Sequence, residues 1–231
     1  MLVLACVLGV IAAMIRAGVR LNRGKEPQYL GRSLSQWLEL RSTSNQRRGS
    51  DFEAANQAIR AIGTNAIPFL LTWIGYQPQP WQETARRNLS PTAGGGGLGQ
   101  SLAGFRDETM ASLAVQGFWA LGSNAARALP ELTDLMKHTT HPPTAQLAAA
   151  AITGLGAPVF PEMVSALADT NYPYRDQIAL YFWGMVHQLG TNACLPPLQA
   201  ALNDPDPKLR SRAAYALKQI ALEIRTNPPP N

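Results

Sequence analysis

The chain has 231 residues, 46% of them hydrophobic and 15% charged, with a formal net charge of +5. That is ample for one folded unit, and the dominance of alanine and leucine without β-branched alternation points to an all-α chain. Residues 1–60 carry nine Lys or Arg against four Asp or Glu, while residues 61–231 carry eleven of each. This argues against a body that grips nucleic-acid phosphates along its length.

Met1–Ile15 is an unbroken apolar run, followed by Arg16, Arg20, Arg23 and Lys25. Fifteen residues are short for a membrane span, but reading through to Leu21 supplies the length if Arg16 and Arg20 snorkel to the headgroups. A cleaved signal peptide and a buried first helix remain as alternatives. The single-pass anchor is preferred because the basic residues follow the apolar run instead of preceding it. Residues 1–21 are therefore expected to tether the chain to a bacterial inner membrane, with the flanking charge favouring a cytoplasmic body. Cys6 and Cys194 are too far apart in character to imply a disulfide framework.

Residues 22–50 read as a polar juxtamembrane linker holding one short amphipathic helix. Ser33 to Gln36 has a capping-box pattern, Leu34, Trp37 and Leu38 follow at helical spacing, and Arg41–Gly49 reads as a polar loop. A second capping-box pattern, Ser50 to Glu53, opens a helix with Phe52, Ala55, Ile59 and Ile62 on one stripe.

From there a short signal recurs: Gly63-Thr64-Asn65-Ala66, Gly122-Ser123-Asn124-Ala125, Gly156-Ala157-Pro158 and Gly190-Thr191-Asn192-Ala193. The last two intervals are both 34 residues. Each glycine suits a left-handed stop after one helix, and each asparagine suits the cap of the next. The expected hairpins are Ser50–Ile62 with Ile67–Ile74, Met110–Leu121 with Ala128–Met136, Thr144–Leu155 with Phe160–Ala168, and Tyr174–Leu189 with Leu195–Leu202. A last helix, Lys208–Arg225, is expected to cover the open end, and the proline-rich tail at residues 226–231 is expected to be disordered. A fixed period of this size predicts stacked helical repeats, each hiding its apolar face against its neighbours.

Residues 75–109 interrupt the period with Pro78, Pro80, Trp81, the pair Arg86-Arg87 and a glycine run at 94–97. No Gly-Lys-Ser/Thr follows the run, so it reads as a loop and not a phosphate cradle. His138 and His141 are three apart but have no neighbouring cysteine or carboxylate cluster, and Cys194 at a helix start reads as a packing residue. No catalytic residue, cofactor site or metal site is predicted. Partner binding is assigned by residue type and loop position to Tyr76, Trp81, Arg86, Arg87, Tyr172 and Tyr174.

The segment Asp204-Pro205-Asp206-Pro207-Lys208-Leu209-Arg210, with Ala213, Ala214, Ala216 and Leu217, resembles the first helix of a bacterial HEAT repeat. The Leu/Ile-Gly-Thr-Asn-Ala turns are similar to those of short bacterial members, and Tyr29–Leu38 to a stretch that precedes such repeats behind an anchor. The resemblance covers residues 51–225. It implies a right-handed α-solenoid of four to five helix hairpins, preceded by the apolar N-terminal helix and used for protein–protein contact without catalysis. HEAT-like enzymes acting on nucleic acid (glycosylase-like) or bilins (lyase-like) are the alternative class. A tetratricopeptide-type binding module is the structural alternative. The sequence departs from the pattern in lacking a regular ladder of Asp and Arg outside the last repeat.

Overall fold

The computed structural model describes residues 25–44, 49–78 and 105–226, apart from the side chains of residues 105, 106, 187, 188 and 226. The anchor predicted for residues 1–21, Trp81, the Arg86-Arg87 pair, the glycine run and most of the tail lie outside the described residues. A short antiparallel hairpin comes first, β1 (Gln28–Tyr29) and β2 (Arg32–Ser33). It is the one departure from the all-α expectation among the described residues. Among the described residues ten α-helices follow: α1 (Leu34–Ser44), α2 (Ser50–Ile62), α3 (Ile67–Ile74), α4 (Phe105–Leu121), α5 (Leu129–His138), α6 (Pro142–Gly154), α7 (Phe160–Ala168), α8 (Arg175–Leu189), α9 (Thr191–Ala201) and α10 (Pro207–Thr226).

The helices alternate between two rows. Helices α2, α4, α6, α8 and α10 form one row in which each packs on the next, and α3, α5, α7 and α9 fill the other. Packing runs mainly between elements close along the chain, with α1 also reaching α4 and α3 reaching α6. This is the neighbour-only arrangement that the period demands. One core runs through it, from Leu34 and Leu38 through Ile59, Leu70, Phe118, Leu132, Leu155 and Phe182 to Leu209 and Ile220.

The N-terminal segment that reads as a linker is packed into this core. Ser33 and Gln36 make the predicted reciprocal cap, with Ser33 N–H donating to Gln36 Oε1 at 2.9 Å and Gln36 N–H to Ser33 Oγ at 3.4 Å. Leu34 and Leu38 are fully buried against α2 and α4. Arg41 is helical and buried, not part of a loop: its Nε donates to Asn56 Oδ1 and its Nη1 to Gln116 Oε1, both at 2.8 Å. A guanidinium is tolerated there because its donors are met and it lies 4.8 Å over the Phe52 ring. The second capping box does not form, since helix α2 starts after Gly49 with no side-chain cap.

All four recurring glycines have positive φ, and Gly63, Gly156 and Gly190 lie outside the left-handed helical region. Gly63 has φ 63° and ψ −141°, Gly156 φ 76° and ψ −153°, and Gly190 φ 80° and ψ 161°. These angles fall in a region essentially closed to any residue with a Cβ. Asn65 does not cap α3 either: Gly63–Ala66 is a single 3₁₀ turn, and α3 continues from it in helical conformation. The 3₁₀ turns Gly63–Ala66, Gly122–Ala128 and Ala157–Val159 stack on one another along one edge.

Two further glycines are required by close approach. A Cβ on Gly154 would lie 2.0 Å from Trp119 Cδ1 and 3.0 Å from Trp119 Cα, so α4 and α6 touch backbone to side chain there. A Cβ on Gly117 would lie 2.6 Å from Leu70 Cδ2. Gly184 on α8, by contrast, faces open space. No single described helix is long and apolar enough to cross a membrane. The pair Pro142–Gly154 and Ala157–Ala168 passes only together, bent by 113°, and much of it is repeat core.

These contrasts give a paired prediction for denaturant melts. Gly154→Ala should cost about 3 kcal/mol, because two helices must separate. Gly184→Ala should stabilise by about 0.5–1 kcal/mol, because it only removes unfolded-chain freedom.

Candidate functional site: an inter-repeat cleft and the ties between repeats

A cleft of about 230 Å³ opens between the N-terminal ends of α4 and α6, lined by Tyr76, Glu108, Ser112, His141, Thr144 and Leu147, among others. Tyr76 follows α3 and Gly75, three residues before the undescribed segment 79–104. The floor of the cleft is tied across repeats. Thr144 Oγ1 donates to the Tyr76 carbonyl at 3.1 Å, and His141 Nδ1 lies 3.0 Å from the same hydroxyl. Gln77 Nε2 donates to Thr139 Oγ1 at 2.8 Å, which fixes the root of the insertion to the α5–α6 connection.

Of the predicted site residues, Tyr76, Tyr172 and Tyr174 are described, while Trp81, Arg86 and Arg87 lie outside the described residues. Tyr76 is half-buried at the cleft. Tyr172 was expected to be exposed for a partner and is instead buried, 9% accessible, with the Lys137 ammonium 4.4 Å over its ring. Burial pushes its phenol above the ordinary value. The Tyr172 N–H donates to the Asp169 carbonyl at 2.9 Å, a turn that goes with the burial of this loop residue. Tyr174 is half-buried too, and its φ of 57° makes it the left-handed residue that starts α8.

The candidate metal ligands are engaged separately. His138 Nδ1 pairs with Asp134 Oδ1 at 2.9 Å on the exposed face of α5, whereas His141 belongs to the cleft. Among the described residues no group of three or more His, Cys, Asp or Glu converges. Cys194 is fully buried, and desolvation raises its thiol pKa, opposite to the shift an activated thiol needs.

Residue-by-residue reading does not single out Trp119 (44%) or Tyr215 (50%), which are exposed together with Trp183 (37%) on the row of α4, α8 and α10. Trp119 Nε1 donates to the Ala150 carbonyl at 3.0 Å, and its ring meets Tyr181 edge-on at 6.4 Å. Trp183 Nε1 donates to Glu223 Oε2 at 2.8 Å. These rings span adjacent repeats, so part of their role is structural.

The strongest electrostatic feature is also an inter-repeat tie. Arg175, at the start of α8, sends Nε and Nη2 to the Leu167 carbonyl and pairs through Nη1 and Nη2 with both carboxylate oxygens of Asp204. Both side chains are nearly buried, at 6% and 11% accessible. Hydrogen bonding from Arg175 holds the Asp204 carboxyl below its ordinary value of 3.8, aided by the Asp206 N–H. The Asp-and-Arg ladder that looked confined to the last repeat therefore has a rung reaching back into the preceding one. The spacing hid it because the partners come from different repeats.

The HEAT repeat family model matches residues 194–224, which run from α9 into α10 and hold the Asp204-to-Leu217 motif. The HEAT resemblance is borne out over that stretch. Comparison with curated proteins found no match, and neither did comparison with solved structures.

The Asp204 tie sets an acid limit on stability. A depressed folded-state pKa contributes fully above the unfolded value near 3.8 and is lost as pH falls below it. Asp204→Asn should cost about 3 kcal/mol at pH 7, since it leaves Arg175 buried without its counter-charge. The gap from the parent chain should narrow in urea melts below pH 3.8.

Proposed function

We propose that the chain is a membrane-tethered, non-catalytic interaction scaffold, a right-handed HEAT-type solenoid that holds a protein partner. The observation that carries this reading is the neighbour-only stack of helix hairpins ending in a HEAT repeat at residues 194–224. Repeats of this kind commonly mediate protein–protein contact, and quasi-one-dimensional stacking gives them long surfaces for it.

The tether is assigned to residues 1–21 on sequence grounds: an apolar run closed by Arg16 and Arg20, with the body on the cytoplasmic side. Partner contact is assigned to the cleft at Tyr76 and to the insertion it leads into, with Trp81 as an aromatic anchor and Arg86 and Arg87 setting a preference for acidic groups. Tyr174 borders the other inter-repeat loop, while Tyr172 acts in packing. The buried, unactivated Cys194 and the separately engaged histidines support the non-catalytic part of the reading.

Crosslinking from native membranes followed by affinity recovery tests it. A discrete protein partner should be recovered with the full chain and lost when residues 76–104 are deleted. Unchanged recovery would remove the insertion from the interface. Extraction of the intact chain by high salt, without detergent, would remove the tether.

A further inference from the structure

The C-terminal end of the stack shows the face a further repeat would cover, and an internal repeat shows what that face looks like when covered. Asp169 and Asp204 open equivalent turns: each accepts the backbone N–H two residues on, at 2.9 Å. In each case an arginine follows six residues later, Arg175 and Arg210. This pairing sets Leu167 beside Leu202, Ala179 beside Ala214, and Phe182 beside Leu217.

The equivalents differ in exposure. Leu167 is 4% accessible and Leu202 39%. Ala179 and Phe182 are fully buried, whereas Ala214 is exposed and Leu217 only half-buried. Ala221 and Ile224 continue the stripe along α10, also exposed. The expectation that this helix would close the stack therefore needs correction. It covers α8 and α9 but presents an apolar edge of its own, where a capping helix would be polar.

The charges around this edge say what fits it. Arg175 binds both the carbonyl before its loop and a carboxylate, Asp204, delivered by the next repeat. At the equivalent place, Arg210 Nη1 donates to the carbonyls of Asp204 and Pro205 at 2.7 and 2.9 Å, and the Asp204 carboxylate that feels its charge is already held by Arg175. Lys218 and Arg225 flank the stripe on its solvent side. Helix α10 carries five Lys or Arg against Glu223 alone, and Glu223 already accepts from Trp183. Two copies meeting α10 to α10 would bring like charges together.

We propose that the edge formed by Leu202 and the Ala214–Leu217–Ala221–Ile224 stripe docks an amphipathic helix of a partner protein. That helix extends the stack as a further repeat would and delivers a carboxylate to Arg210. This rests on the scaffold reading but uses a different surface from the insertion cleft.

The probe is a synthetic amphipathic peptide about five helical turns long. It has leucines on one stripe, glutamates beside them and one aspartate near its N-terminus. A twin carries asparagine in place of that aspartate. Binding to the full-length chain in detergent is read by fluorescence anisotropy.

The aspartate peptide should bind about tenfold more tightly than its twin. Arg210→Gln should level the two, and Ala221→Glu, a change at an exposed position, should weaken both. Equal affinity of the twins for the parent chain, or no binding, would overturn the proposal. So would binding that appears only after residues 79–104 or 227–231 are deleted, or a concentration-dependent dimer abolished by Ala221→Glu in place of peptide binding. Those outcomes assign the edge to the chain itself or to a second copy. If the membrane crosslinking still recovers a partner that depends on residues 76–104, the edge assignment falls while the scaffold reading stands.

Discussion

Helix α8 meets α6 along the first row on one side and α10 on the other, with α7 and α9 against its remaining core face. Ile178, Ala179, Phe182 and Met185 are all buried as a result. Burying one large apolar side chain contributes about 1.5–3 kcal/mol, and no isolated two-helix unit could hide all four of these at once. The need of each hairpin for two neighbours is the constraint from which the rest of the molecule follows. It makes the core continuous, draws the short N-terminal helix α1 into the stack, and leaves an apolar edge where the series ends.

Polar chemistry is used mainly at the seams. Arg41 joins α1 to α2 and α4, and Arg175 joins the α7–α8 loop to Asp204. Arg60 Nε donates to the Ala120 carbonyl at 2.9 Å, and Arg127 Nη2 to the Thr64 carbonyl at 3.1 Å, each crossing from one repeat to the next. Among the described residues no buried side-chain nitrogen or oxygen lacks a partner. Apolar burial holds the hairpins together without fixing how far one slides along another. Arginines that must reach particular carbonyls restrict that sliding, because a displaced guanidinium would be left buried and unpaired.

Much of the helical plan was legible in the chain. The glycines that end α2, α6 and α8 could be located because their positive φ excludes other residues, and the stripe Ile178, Phe182, Val186 could be located because helical periodicity is a local property. The candidate site was far less legible. Tyr172 has the residue type of a contact aromatic and sits in a loop, yet the loop folds it under Lys137. Trp119 passed unremarked, although it is exposed and defines the α4–α6 approach through Gly154. Exposure depends on what the neighbouring repeat contributes, and that cannot be read from the residue's own surroundings in the chain.

The amino-acid order alone determined that this protein is a row of helix pairs broken at glycine, because backbone sterics and apolar spacing act over a few residues. It also determined where the positive charge lies and that an apolar segment precedes the body. Only the tertiary arrangement decided that Arg175 meets Asp204, that Gly154 must be bare for Trp119, and that Leu202 is open while Leu167 is closed. Those outcomes join residues about 30 positions apart or more, or compare one repeat with another. They are set by the offset at which one hairpin seats on the next, and short-range periodicity leaves that offset free.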